Sequence, residues 1–163
     1  MKEEIRYLSL CGMLGYGYSQ QSLEYALSKN PDFIGVDAGS TDPGPYYLGS
    51  GKSFVKELQM KRDLALVLKR ALEKKIPLII GSAGGSGARP HTDRVVKVLQ
   101  EIAAEQQLKF KAAVIYSDLE KSFLEKMAAE GRISPCGGAP EFDADSIPRI
   151  CNPVAQFGTG PII

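Results

Sequence analysis

The residues best equipped for chemistry in this chain lie in or beside glycine-rich loops. His91 is the only histidine, and imidazole is the side chain that most readily takes and gives protons near neutral pH. It directly follows Gly81-Ser82-Ala83-Gly84-Gly85-Ser86-Gly87-Ala88-Arg89-Pro90, which makes it a candidate general acid or base. Arg89 adds a planar, fork-shaped cation suited to an oxyanion. Ser82 and Ser86 supply hydroxyls. Gly84, Gly85 and Gly87 expose backbone amides where a helix is expected to begin, a setting that attracts phosphate or carboxylate. Asp37 closes an apolar run, where a carboxylate needs a partner or a task; it is a second acid/base candidate or the group that orients His91. Ser40, Thr41 and Asp42 follow in the same loop, with Asp42 a further acid/base candidate.

The same residue types suit other roles. Asp37, Asp42, His91 and Asp93 carry donors that several divalent ions accept. No spacing pattern selects them, so no metal ligand is assigned and the question of a divalent ion stays open. Asp93 also fits a first-turn acid that complements a helix dipole. Ser117 and Glu120 form Ser-x-x-Glu, sufficient for a capping box, with Asp118 a first-turn acid. Ser117 and Asp118 nonetheless end an apolar run at the same sheet edge and count as binding candidates. In the first loop, Gly12, Gly15 and Gly17 give Gly-x-x-Gly-x-Gly, not the dinucleotide order Gly-x-Gly-x-x-Gly. Gly15, Gly17 and Tyr18 are read as either ligand contacts or a tight strand-to-helix turn. Gly49-Ser50-Gly51-Lys52-Ser53 resembles the end of a phosphate-binding loop but has Tyr46 where glycine is needed and Pro43-Gly44-Pro45 where a strand is needed. It reads better as a glycine-rich turn in which Ser53 caps the next helix.

The elements that must position these loops follow from apolar periodicity. Ile5–Leu10, Phe33–Val36, Pro77–Ile80 and Ala112–Tyr116 read as strands, the third without alternation, as suits a strand covered on both faces. Ser19 caps a helix that Asn30-Pro31 stops. A long amphipathic helix carries Phe54, Leu58, Leu64, Ala65, Leu68, Ala71 and Leu72 on its apolar face, with Lys69, Arg70, Glu73, Lys74 and Lys75 in water. A third helix carries Val95, Leu99, Ile102 and Ala103; a fourth, from Leu119 to Glu130, turns Leu119, Phe123, Leu124 and Met127 inward. Strand and helix alternate throughout. That order predicts an α/β fold: a Rossmann/flavodoxin-like three-layer sandwich with a mainly parallel sheet of at least four strands and helices on both faces. The loops after the strands then share one edge, where such folds bind ligands.

Length and composition set the bounds. At 163 residues the chain is long enough for one core. Lys+Arg is 20 against Asp+Glu 19, so no basic field favours nucleic acid. No signal peptide and no membrane-spanning run is visible. Cys11, Cys136 and Cys151 are odd in number and widely spaced, neither a disulfide framework nor a zinc pair, which predicts a reduced, cytoplasmic setting. Cys11, inside a strand, reads as a buried inert thiol. The organisation expected is an α/β domain over 1–130 and an irregular Pro/Gly-rich extension over 131–163. Its apolar end, Pro161-Ile162-Ile163, predicts that the chain is the front part of a longer protein.

Three stretches together resemble the acyclic terpene utilisation (AtuA-like) family: Gly15-Tyr16-Gly17-Tyr18, Val36-Asp37-Ala38-Gly39-Ser40-Thr41-Asp42-Pro43-Gly44 and Gly81-Ser82-Ala83-Gly84-Gly85-Ser86-Gly87. Ile115-Tyr116-Ser117-Asp118 fits the same pattern, and the resemblance covers about residues 5 to 163. Members are considerably longer. The resemblance implies small-molecule metabolism in the breakdown of branched acyclic terpenes through acyl-coenzyme A intermediates; it brings no settled catalytic residues. Two function classes follow. One is an enzyme domain for a small organic anion, an acyl thioester or carboxylate, with His91 as acid/base, Asp37 beside it and Arg89 with the Gly84–Gly87 amides as anion clamp. The other is a phosphate- or nucleotide-binding module that needs only the amides and Arg89. The site would be half-built if downstream residues complete it, and apolar surface left by a missing C-terminal domain would let the chain form a homo-oligomer.

Overall fold

The computed structural model describes residues 3–40 and 44–162. Strand β1 (Tyr7–Ser9) pairs in parallel with β2 (Phe33–Asp37), and β2 pairs in parallel with β3 (Leu78–Gly81), giving the order β1-β2-β3. Between them lie α1 (Gln20–Leu27), the short α2 (Tyr46–Ser50) and α3 (Glu57–Lys74); α4 (Arg89–Glu105) and α5 (Lys121–Ala129) follow β3. The α/β class and the alternation are as the periodicity predicts. Ser19 caps α1 by accepting from the Ser22 amide, and Asn30 turns the chain in the left-handed region just after it.

One core holds the sheet, α1, α3 and α4 together. Leu23 and Leu27 of α1, Ile34 and Val36 of β2, Met60, Leu64, Val67, Leu68 and Ala71 of α3, and Val95, Val98 and Ile102 of α4 bury in a single cluster. Leu8, Leu78 and Ile80 join it from the flanking strands. Ion pairs tie the helices side by side: Arg70 of α3 to Glu24 of α1, and Lys61 of α3 to Glu101 and Glu105 of α4. The α3 stripe differs from the expected one. Leu58 is 78% exposed and Phe54 lies ahead of the helix. The N-cap is Lys56, not Ser53, whose hydroxyl instead donates to the Gly84 carbonyl.

Among the described residues three strands form the sheet, against the at least four expected for a three-layer sandwich. Strands that follow one another in space as they do in sequence send every right-handed crossover to the same side. The helix layer therefore covers the sheet face that carries Leu8, Ile34, Val36, Leu78 and Ile80. On the other face Tyr7 stacks on Phe33 at 5.9 Å beside Ile79, outside the core cluster, so β3 is not enclosed on both sides. The run Ala112–Tyr116 forms no strand; Val114 and Ile115 stay 41% and 42% exposed. Just beyond it the chain pairs with its own tail instead, through the antiparallel bridge Asp118–Val154 and the Ala155 and Leu119 amides, which donate to Ser117 and Pro153. Helix α5 starts two residues later than expected, with Glu120 at its N-cap and no Ser117–Glu120 capping box. It buries no residue, and Phe123 faces solvent. α5 packs on the 3-10 turn Ala144–Arg149, whose Ile147 is buried outside the main core.

Candidate functional site

The loop after β3 is built around His91. Ser82 turns through the left-handed region, Ala83–Gly85 forms one 3-10 turn, and α4 opens at Arg89 with Pro90 in its first turn. A proline there costs nothing, because its missing N–H would have no partner in the helix. His91 is fully buried. Its Nε2 lies 2.9 Å from the Lys52 carbonyl oxygen and its Nδ1 lies 2.6 Å from Ser86 Oγ. A carbonyl only accepts, so Nε2 carries the proton of the neutral ring and Nδ1 accepts from the Ser86 hydroxyl. Lys52 thus fixes the tautomer that leaves a basic nitrogen on Ser86. Gly84 makes this packing feasible: a Cβ there would stand 2.2 Å from the His91 carbonyl oxygen, and its φ is +76°.

Ser86 faces a cavity of about 250 Å³ lined by Met13, Ser40, Gly44, Pro45, Tyr47, Leu48, Phe54, Gly85 and Ser86. Its walls come from the ends of all three strand-following loops and from α2. The Tyr47 and Phe54 rings meet edge to face at 5.3 Å and form an apolar wall. Ser40, Gly85 and Ser86 supply the polar groups. Among the described residues, the amide of Gly87 finds no acceptor. α2 also explains the phosphate-loop look-alike. Gly51 is its left-handed C-cap, so a helix rather than a strand precedes Lys52.

The other candidates are spread around this cavity. The amides of Gly15 and Gly17 donate to Asp63 Oδ2 at 2.8 and 3.1 Å, and the Tyr18 hydroxyl donates to the Asp63 carbonyl. Asp63 is 1% exposed and also pairs with Arg62 at 2.8 Å. The first loop is therefore fastened from beneath and its amides are spoken for. Burial, reinforced by the Asp63 carboxylate, pushes the Tyr18 phenol well up. Burial first and Asp63 second also push the Cys11 thiol up, as suits an inert cysteine. Asp37 accepts from the Gly39 amide at 2.9 Å, while the His91 ring nitrogens bond Ser86 and Lys52 instead. Gly39 presses on Ser82, where a Cβ would come within 2.7 Å of the serine Cβ.

Arg89 points its guanidinium at the Tyr116 ring, 3.9 Å from its centroid, while its amide donates to Asp118. Tyr116 in turn donates to Asp93 at 2.6 Å. Ser117 and Thr92 both donate to the Gly87 carbonyl, closing the turn from outside. Arg89, Ser117, Asp118 and Asp93 thus hold the loop but do not line the cavity. Thr41 and Asp42 lie outside the described residues. Among the described residues, no three His, Cys, Asp or Glu side chains gather as a metal would require.

Sequence reasoning missed the Lys52 carbonyl and the wall made by Met13, Tyr47, Leu48 and Phe54. Lys52, Tyr47, Leu48 and Phe54 depend on how the segment before α3 folds back, and Met13 on the loop after β1. It also missed Asp63, although the signal was present: the residue falls on the α3 stripe between Met60 and Val67, where an acid needs a partner. Comparison with known proteins finds no matching family model, no matching curated protein and no matching solved structure.

Proposed function

We propose that this chain is a metabolic enzyme domain that takes the acyl part of a small organic anion, a thioester or a carboxylate, into the cavity at the loop edge. One observation carries the reading: an apolar cleft ends on a serine hydroxyl held by a buried histidine of fixed tautomer. An aromatic and aliphatic wall suits a hydrocarbon chain, and Ser40, Ser86 and the Gly87 amide suit its carbonyl or carboxylate. At about 250 Å³ the cavity falls below the roughly 300–1,000 Å³ of pockets that enclose a whole drug-sized ligand. It accommodates an acyl group and leaves the remainder of a larger carrier, such as coenzyme A, outside.

Two further points support this. The parallel strands place the cavity beyond their carboxyl ends, where Rossmann-like sheets hold ligands. The likeness of the three loops to the acyclic terpene utilisation family favours a branched acyl substrate and a cytoplasmic pathway. The anion clamp differs from the one expected from sequence: the Gly87 amide and the Ser40 and Ser86 hydroxyls serve, and Arg89 does not.

A thermal-shift series tests the proposal. A branched short-chain acyl thioester or the matching carboxylate is expected to raise Tm by several degrees at a hundredfold excess over Kd, about 2.7 kcal/mol of linkage. Leu48→Trp, which fills the cavity, is expected to abolish that shift. A shift with inorganic phosphate or a nucleotide alone, unaffected by Leu48→Trp, would instead support a phosphate-binding module; no shift with any of them would refute the acyl reading.

A further inference from the structure

We propose that Ser86 is a nucleophile that accepts the acyl group, with His91 as its base. The inference rests on the acyl-binding reading of the cavity and adds the reaction class: acyl transfer through a covalent ester, with water as the final acceptor. A serine hydroxyl is a poor nucleophile alone and becomes competent when a positioned base removes its proton. His91 Nδ1 stands 2.6 Å from Ser86 Oγ, within the reach such a base needs. The third member, usually a carboxylate, holds the imidazole in one tautomer and orientation. Here the Lys52 carbonyl performs that task at 2.9 Å, without charge. Among the described residues, Ser86 combines a place on the cavity wall with this base.

The chemistry balances with a thioester and water. As Oγ bonds to the acyl carbon, its proton passes to His91 Nδ1. The C–S bond then breaks, and the departing sulfur takes that proton as a thiol. Water next attacks the Ser86 ester and gives a proton to Nδ1. The acyl–oxygen bond breaks, Oγ recovers the proton, and the carboxylic acid leaves. The amide of Gly87, the residue after the nucleophile, has no acceptor among the described residues and is the donor this proposal assigns to the carbonyl oxygen as it gains charge. Asp37 and Arg89 have no part in these steps.

The test is acylation of the whole chain by p-nitrophenyl butyrate, followed by intact mass and peptide mapping. The expected result is one butyryl group per chain, on Ser86, with release of p-nitrophenolate. Ser86→Ala should lose the adduct, and Ser86→Cys should retain it as a thioester. His91→Gln should slow acylation by about 10²–10⁴-fold. Because His91 is buried, its variant counts only with a wild-type circular dichroism spectrum and melting profile; Ser86→Cys carries the test if that variant unfolds. No adduct on wild type or Ser86→Cys together with no turnover of p-nitrophenyl butyrate, or an adduct spread over lysines or mapped to Tyr47, overturns the nucleophile. If the acyl thioester still raises Tm in that case, the binding reading survives and only the covalent step falls.

Discussion

At the residue scale the site depends on a few short contacts that bring otherwise ordinary groups together. His91 is surrounded by protein and reaches the cavity only through Ser86, so its value lies in its two fixed partners and not in exposure. Gly84 is the residue on which that arrangement depends. Any side chain there meets the His91 backbone at contact distances that real atoms do not adopt, in a left-handed conformation L residues resist. Gly84→Ala is expected to destabilise the fold by about 2–4 kcal/mol and to weaken acyl binding, as read by urea unfolding and thermal shift together. A variant with unchanged stability would show that the Ser82–Ala88 turn yields easily. Asp63 plays the matching part under the first loop, where one buried carboxylate oxygen accepts from the Gly15 and Gly17 amides. Their glycine character was legible in sequence; that their amides donate to a buried carboxylate was not, because the acceptor lies nearly fifty residues away.

At the element scale the chain divides into a well-packed front and a loosely attached back. α1, α3 and α4 share one core with the sheet, while α5 buries nothing and is held by the 3-10 turn around Ile147. The prediction at this scale concerns that attachment. Ile147→Ala removes the buried side chain of the satellite cluster, a change worth about 2–5 kcal/mol where packing cannot relax. Hydrogen exchange is expected to accelerate across α5 and residues 144–149 while the amides of α3 and α4 keep their protection. Uniform loss of protection would mean that α5 belongs to the same cooperative unit as the core. Apolar periodicity located α5 but misjudged its face. A stripe of Leu119, Phe123, Leu124 and Met127 marks amphipathicity, and nothing in it says whether a partner surface is present to bury it.

At the scale of the whole molecule, stability should depend on alkaline pH through Tyr18. Its phenol titrates higher in the folded chain than in water, because burial and the Asp63 carboxylate both oppose the phenolate. The folded state then holds that proton more tightly than the unfolded state. The contribution is complete below the unfolded value of about 10 and is lost as pH rises from there toward the folded value. Urea midpoints should fall above about pH 10, and the gap between wild type and Tyr18→Phe should narrow over the same range. A constant gap would show that Tyr18 ionises alike in both states.

The sequence by itself determined the α/β class, the order of most strands and helices, and the loops at the carboxyl edge. Periodicity, caps and glycines are local signals, and a few neighbouring residues suffice to generate them. It also marked Ser86, Gly84 and His91 as belonging near one another, since they lie within one turn of chain. Tertiary structure decided the rest. Ala112–Tyr116 had the composition of a fourth strand, yet strand formation requires a partner edge, and the bridge nearby goes to the tail at Val154. Sequential strand order, a property of the whole sheet, gathered the core helices on one face where helices were expected on both. The site followed the same division: the serine and the histidine are near neighbours in sequence, but the carbonyl that sets the tautomer lies 39 residues before the histidine and comes to it only through the fold.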